Sequence, residues 1–254
     1  MVNPRWVFDR KDAKKVEGIV GVDEAGRGCL AGPVVAGAVI LPSVFFQNAR
    51  NREKTKDVND SKQFDESKRE FFYDLVRKLG DDGHLFWGVG TATVEEIEKE
   101  NIVGATCLAM ARAMEQASAH SNGLWEPVPK AEGNLFENPP DPHGTAWIVR
   151  VDGRPMKKLK YEHQGLVKGD TLSVAVAMAS MMAKVTRDRH LRELALDFPA
   201  YDFSSNKGYG APKHLAALKE KGLTVHHRPR FLRNILSSSA QSDKDGQQSQ
   251  LSFD

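Results

Sequence analysis

Only two cysteines, Cys29 and Cys107, occur in 254 residues. No His/Cys cluster with metal-ligand spacing surrounds either one. The sequence therefore excludes a disulfide framework and a zinc scaffold, and points to reduced thiols in a cytoplasm. No run of 18 apolar residues exists, which excludes a membrane-spanning helix. Residues 1–18 are charged and lack an apolar core, so no secretory signal is expected. Net charge is nearly missing too, since 36 basic against 34 acidic side chains leave +2. Internal repeats are absent. What remains is an ordinary globular composition, long enough to bury a full core as one large domain or one with a small appendage.

The distribution of charge says more than its sum. Residues 204–233 carry seven Lys or Arg against one acid, Glu220, with His214, His226 and His227 in the same stretch. A basic lobe on a near-neutral protein is the electrostatic mark of a polyanion site, although a solvated basic face has the same composition.

Apolar, β-branched runs at 18–22 and 34–41 predict a strand pair joined by a glycine-rich turn. Residues 42–61 read as a polar loop. Helical spacing covers 65–79, ended by Gly80, and a third strand follows at 85–92. Thr93-Val-Glu-Glu96 has the pattern of a capping box opening a helix, and 101–120 continues as a second helix. Residues 121–145 are rich in Pro, Gly and Asn and read as a long surface insertion. A strand at 146–151 runs into Asp152-Gly153, and a short extended piece at 165–168 into Gly169-Asp170. The longest helix is expected at 171–196, with Val174, Met178, Met181 and Val185 toward the core. A helix at 212–221, a short turn at 231–235 and a Ser/Gln-rich tail expected to be disordered complete the chain. Interleaved strands and helices with a helical basic end imply an α/β fold with a mixed sheet and a small C-terminal lobe.

The chemistry begins at Gly21-Val-Asp23-Glu24-Ala-Gly26-Arg27-Gly28, followed by Ala31-Gly32-Pro33. Adjacent carboxylates at the end of an apolar run repel and call for a cation. A glycine-rich turn beside them lets backbone N–H groups approach a ligand. A phosphate held with Mg²⁺ satisfies both. Asp152 and Asp170 sit at strand-to-next-element junctions, where α/β sheets place ligand groups. Either could instead be a turn or N-cap aspartate. Together with Asp23 and Glu24 they make four carboxylates able to hold two divalent ions. On the long helix Ser173, Ser180, Lys184 and Arg187 share one stripe, suited to gripping phosphate oxygens or to facing solvent. Lys62, after Asp60-Ser61, could hold a backbone phosphate. Tyr209, between Gly208 and Gly210, could stack on a sugar or base, or belong to the core.

These pieces in this order resemble the ribonuclease HII family, the prokaryotic type 2 ribonucleases H. The matching stretches are 21–28 with Gly32-Pro33, Asn59-Asp-Ser-Lys62, Val151-Asp-Gly153, Lys168-Gly-Asp170, the run from Ala179 to Asp188, and Gly208-Tyr-Gly210 with His214. They span roughly residues 17–232. The insertion at 121–145 and the first 16 residues depart from the family pattern. The resemblance implies a ribonuclease H-like fold, a five-stranded mixed sheet flanked by helices with a small helical C-terminal extension. The implied division is an N-terminal extension (1–16), a catalytic domain (17–196), a basic lobe (197–236) and a tail (237–254). It implies Asp23, Glu24, Asp152 and Asp170 as catalytic metal ligands for two Mg²⁺ or Mn²⁺ ions. By the same resemblance the Gly26-Arg27-Gly28 turn reads the 2′-OH, Tyr209 presses on the ribose at the RNA–DNA junction, and Lys62, Ser180 and Lys184 hold phosphates. The implied substrates are RNA–DNA hybrids and duplex DNA with embedded ribonucleotides, cut on the 5′ side of the ribonucleotide by a monomer in the cytoplasm. The tail residues Gln248, Leu251 and Phe253 resemble short peptides that bind the bacterial sliding clamp, against the alternative of a merely solubilising tail. A binding module with an inactive site, and a phosphatase or nucleotidyl transferase acting on small substrates, are the competing classes.

Overall fold

A computed structural model of the chain describes residues 2–130 and 146–233. Its strands are β1 (Gly18–Ala25), β2 (Val34–Pro42), β3 (Phe86–Ala92), β4 (Trp147–Asp152) and β5 (Gln164–Leu166). Its helices are α1 (Pro4–Ala13), α2 (Ala49–Lys54), α3 (Glu66–Asp81), α4 (Val94–His120), α5 (Gly169–Leu172), α6 (Val174–Asp197), α7 (Phe203–Asn206) and α8 (Pro212–Lys221). The sheet order is β3-β2-β1-β4-β5. Strands β1, β2 and β3 pair antiparallel, while β4 runs parallel to both β1 and β5, so the sheet is five-stranded and mixed.

Helix α4 covers one face of this sheet, sharing a core with Val20, Val22, Ala36 and Ala38. Helix α6 covers the other, with Ile19, Val39 and Leu41. Alternation along the strands sorts these residues to opposite faces. The central strand β1 is approached so closely by α6 that a Cβ on Gly21 would lie 2.2 Å from the backbone carbon of Ala175. No larger residue fits there without moving the helix off the sheet.

Several elements differ from the sequence expectation. Helix α3 runs one residue past Gly80, to Asp81. The helical path of α4 breaks at Asn101 (φ 57°, ψ 171°), whose side chain accepts from the N–H groups of Val103 and Gly104, so the expected second helix starts there with its own cap. The long helix is likewise interrupted. Ser173 is extended (φ −113°, ψ 131°) and caps α6 through Val176 N–H, leaving Asp170 in the separate one-turn α5. Residues 42–61 hold a 3₁₀ turn (Ser43–Gln47) and α2 rather than plain loop. The first part of the expected surface insertion is anchored, since Trp125 is buried in the α4 core. Residues 131–145, the tail at 237–254 with Gln248, Leu251 and Phe253, and the end of the turn expected at 231–235 lie outside the described residues. Residues 229–233 are helical. The N-terminal segment forms α1, with Trp6 buried against Phe45 and Phe46. Among the described residues no helix is long and apolar enough to cross a membrane.

Candidate active site

Parallel pairing of β1 with β4 aligns Val22 with Val151, so Asp23 and Asp152 leave the same edge of the sheet side by side. The turn after β5 then folds back over them. Lys168 adopts a left-handed conformation (φ 58°), and Gly169 N–H donates to Asp152 Oδ1 at 2.6 Å. That turn carries Asp170 inward. One carboxylate oxygen from each of Asp23, Asp152 and Asp170 lies within 4.8 Å of the others. Glu24 stands outside this triad: its carboxylate accepts from Arg27 Nη1 at 3.4 Å, and its own N–H donates to Asp23 Oδ1 at 2.7 Å.

Two of the three aspartates, Asp23 and Asp152, are poorly compensated. Burial, then the charges of Glu24 and Asp152, push the Asp23 carboxyl well above the ordinary carboxylate range. A Ser180 hydroxyl and the Glu24 N–H pull the other way without prevailing. Burial also raises Asp152, with Asp170 adding to the effect and the Gly169 N–H opposing it. Glu24 is raised by burial as well, with Arg27 opposing. The side chain of Lys62 places its Nζ 3.3 Å from Asp170 Oδ2 while remaining 75% exposed. Burial works against its charge, but Asp170, Asp60 and Asp23 outweigh it and hold the ammonium pKa up.

Three oxygen donors that repel one another, two of them buried and Asp152 half-buried, with no imidazole or thiolate in the set, fit a hard divalent cation such as Mg²⁺ or Mn²⁺. The observation behind that fit is geometric: one oxygen from each of the three carboxylates lies within 4.8 Å of the others, and like charges that close favour a cation between them.

The other sequence candidates divide into three groups. Ser180 lies at the site, buried, its Oγ 3.0 Å from Ser61 Oγ. Lys184 is turned away, pairing with Asp188 at 2.8 Å one helical turn along. Arg187, placed by spacing on the same polar stripe, is no surface group at all. It is 1% exposed and donates to the carbonyls of Pro33 (3.0 Å), Lys207 (2.8 Å) and Ala31 (3.0 Å). Ser173 is equally buried as the cap of α6. Of the stripe, Ser173 and Arg187 are therefore structural contacts, and Ser180 is the member that lies at the acidic centre.

Arg187 shapes the turn that follows β1. Gly26 has φ 89°, and a Cβ there would meet Arg187 Nε at 1.9 Å. Arg27 projects outward with its side chain 48% exposed, and Gly28 faces open space. Arg228, which sequence reasoning missed, grips the same loop from the C-terminal segment, donating to Gly32 O (2.9 and 2.7 Å) and Arg27 O (3.2 Å). A lone arginine in a basic stretch carries no pattern that marks it as buried. The carbonyl of Gly208 receives Leu30 N–H at 2.8 Å, which brings Tyr209 beside this loop with 48% exposure. Tyr209 is thus not a core residue. Its hydroxyl is raised by burial and then by Cys29.

The sheet order, the flanking helices and the triad on one sheet edge define a ribonuclease H-type fold. The ribonuclease H2 of Pyrococcus horikoshii OT3 shares it at a TM-score of 0.58 and 25% identity, over 85% of this chain and 99% of that one. The ribonuclease HII in the PCNA:RNase HII complex from Archaeoglobus fulgidus does so at 0.57 and 21% identity, over 83% and 93%. The sequence narrows the class. The ribonuclease HII family model matches residues 20–234. The ribonuclease HII of Fusobacterium nucleatum subsp. nucleatum is 39% identical over 246 residues, 96% of this chain and 97% of that protein. The chain belongs to the ribonuclease HII family and is a hydrolase of the type 2 ribonuclease H class.

Proposed function

We propose that this chain hydrolyses the phosphodiester on the 5′ side of a ribonucleotide, in RNA–DNA hybrids and in duplex DNA with embedded ribonucleotides, leaving 3′-OH and 5′-phosphate ends. The observation that carries this is the convergence of Asp23, Asp152 and Asp170, one carboxylate oxygen of each lying within 4.8 Å of the others. These three, with Glu24 adjoining, would hold two divalent ions, Mg²⁺ or Mn²⁺. When bound, such ions supply a water of lowered pKa and neutralise charge on the reacting phosphate.

The protein's own groups supply position and selectivity. Asp23 and Asp152, whose carboxyls are raised without a cation, must be deprotonated to bind one, so the ion and the proton compete for the site. Lys62 reaches out from Asp170 into solvent and is placed to meet a backbone phosphate. Ser180 and, once released from Asp188, Lys184 would add phosphate contacts. The Gly26-Arg27-Gly28 backbone approaches the 2′-OH, and half-exposed Tyr209 packs on that ribose. A site built to bond a 2′-OH leaves its polar groups unpaired on pure DNA and so rejects it.

On this reading residues 17–236 form the catalytic unit and its basic lobe, acting as a monomer in the cytoplasm in ribonucleotide excision and primer removal. The Archaeoglobus neighbour was solved with PCNA, and we extend that partner class here: Gln248, Leu251 and Phe253 would dock on a sliding clamp. The central test is a labelled DNA duplex with one ribonucleotide, incubated with Mg²⁺ or Mn²⁺. A single nick 5′ to the ribose is expected, absent from an all-DNA duplex and lost in Asp23→Asn and Asp170→Asn proteins that remain folded. Native-rate cutting by those variants would contradict the assignment.

A further inference from the structure

Asp9 is fully buried and takes no part in the chemistry above. Its Oδ1 is ion-paired with Arg150 Nη1, and its Oδ2 accepts from Ser173 Oγ at 2.9 Å and from Ala175 N–H at 3.0 Å. Asp12 takes the second arm of the same guanidinium, and the Phe8 ring lies 4.6 Å beneath it. Arg150 precedes Asp152 by two residues on β4, and Ser173 follows Asp170 by three. One side chain on α1 therefore joins the two backbone segments that carry two of the three triad aspartates. One turn earlier, Arg5 Nε donates to the carbonyl of Asp170 itself at 3.0 Å, while its Nη2 bonds the Asn59 side chain. Asn3 Nδ2 donates to Thr55 O (3.2 Å) and Val58 O (2.9 Å), fixing the segment that leads to Lys62. Buried Trp6 sets the rotation of α1 so that Asn3, Arg5 and Asp9 all face inward. Helix α1 precedes the residues matched by the family model, which begin at 20.

We propose that α1 is the positioning element of the acidic centre. Asp9 sets the spacing between Asp152 and Asp170, and Arg5 holds Asp170 inward at its carbonyl. Both are positioning residues, touching neither the carboxylates nor a substrate. The physical need is plain: three repelling carboxylates relax apart unless the backbone beneath them is braced, and a braced site binds its cation without first paying to reassemble. The proposal rests on the reading that Asp152 and Asp170 hold the metal.

The test measures Mn²⁺ binding to the full chain without nucleic acid, from the electron paramagnetic resonance of free Mn²⁺. Companion measurements are urea unfolding and affinity for an RNA–DNA hybrid in EDTA. Asp9→Asn and Arg5→Ala are each expected to weaken Mn²⁺ binding by about 10-fold, with part of it restored in Arg5→Lys and hybrid affinity in EDTA unchanged. Arg5 is only partly buried, so Arg5→Ala decides the matter should Asp9→Asn fail to fold. Variants that unfold earlier but bind Mn²⁺ as tightly as the native chain would overturn the proposal, leaving α1 a mere structural brace. Asp170→Asn is the control. If it binds Mn²⁺ like the native chain, the site reading fails and the proposal with it. If it loses Mn²⁺ while Arg5→Ala does not, only the positioning role fails.

Discussion

Two clusters of buried charge flank the Gly26-to-Pro33 loop, and they are built in opposite ways. On one side Asp23, Asp152 and Asp170 crowd together with like charge, and Asp23 and Asp152 have raised carboxyls. On the other, the guanidinium groups of Arg187 and Arg228 are spread over five backbone carbonyls, those of Pro33, Lys207, Ala31, Gly32 and Arg27. Burial, reinforced by Arg187 nearby, lowers Arg228 to about 10, still far above neutrality, so it stays charged. A buried network whose polar atoms are all partnered holds a shape, whereas one left frustrated awaits a ligand. The arginine side thus shapes the Gly26-Arg27-Gly28 turn beside Tyr209; the aspartate side is where we propose the chemistry takes place.

The sharpest way to break this contrast is at Arg187. Arg187→Met strands three carbonyls in the interior and is expected to cost about 3 kcal/mol or more, read from urea unfolding. A loss below about 1 kcal/mol, the scale of an ordinary substitution, would mean the loop does not depend on it.

A second effect is expected from pH. Thr224 N–H donates to His227 Nδ1 at 3.0 Å, His227 Nε2 lies 3.0 Å from His214 Nε2, and His214 Nδ1 lies 2.7 Å from the Tyr209 carbonyl. This relay is complete only when both rings are neutral. Burial, then the neighbouring His214, lowers His227 to about 4. The unfolded chain takes up that proton near 6.5, so between about 6.5 and about 4 the unfolded state binds more protons and stability falls as pH falls. Above 6.5 this group contributes no slope. Thermal melting of His227→Gln should show a shallower decline across that window, and an unchanged slope would remove the pair from the account.

The smallest effect on stability belongs to Tyr209. Being half exposed, Tyr209→Ala should change stability by less than about 0.5 kcal/mol. It should leave hybrid binding intact and impair cutting at single ribonucleotides. Undiminished cutting there would take Tyr209 out of the site.

The frustrated side was the legible one. Asp23 and Glu24 beside glycines, and Asp152 and Asp170 at strand ends, stand out because repelling carboxylates and tight turns leave local marks in sequence. The sheet was legible for a related reason, since β1 and β2 are short apolar runs broken by glycine. The satisfied side was not. Helix α6 is buried nearly all round, against the sheet, α3 and the loop after β1, so helical spacing could not tell an inward Arg187 from an outward Lys184. The break at Ser173 hides within a helix-forming run, because Asp9, some 160 residues earlier in the chain, completes its hydrogen bonds. For the same reason α1 reads as a polar extension: its inward groups find their partners only across the fold. Lys184 facing Asp188 at i, i+4 could have been read as a pair.

The measurement closest to the central claim is thermal melting of the native chain and Asp23→Asn, each with and without Mn²⁺. If the triad is a cation site held under electrostatic strain, the native chain melts higher when Mn²⁺ is added, while Asp23→Asn starts at least as high without metal and gains little from it. An equal rise in both proteins, or a metal-free Asp23→Asn that melts well below the native chain, would contradict it.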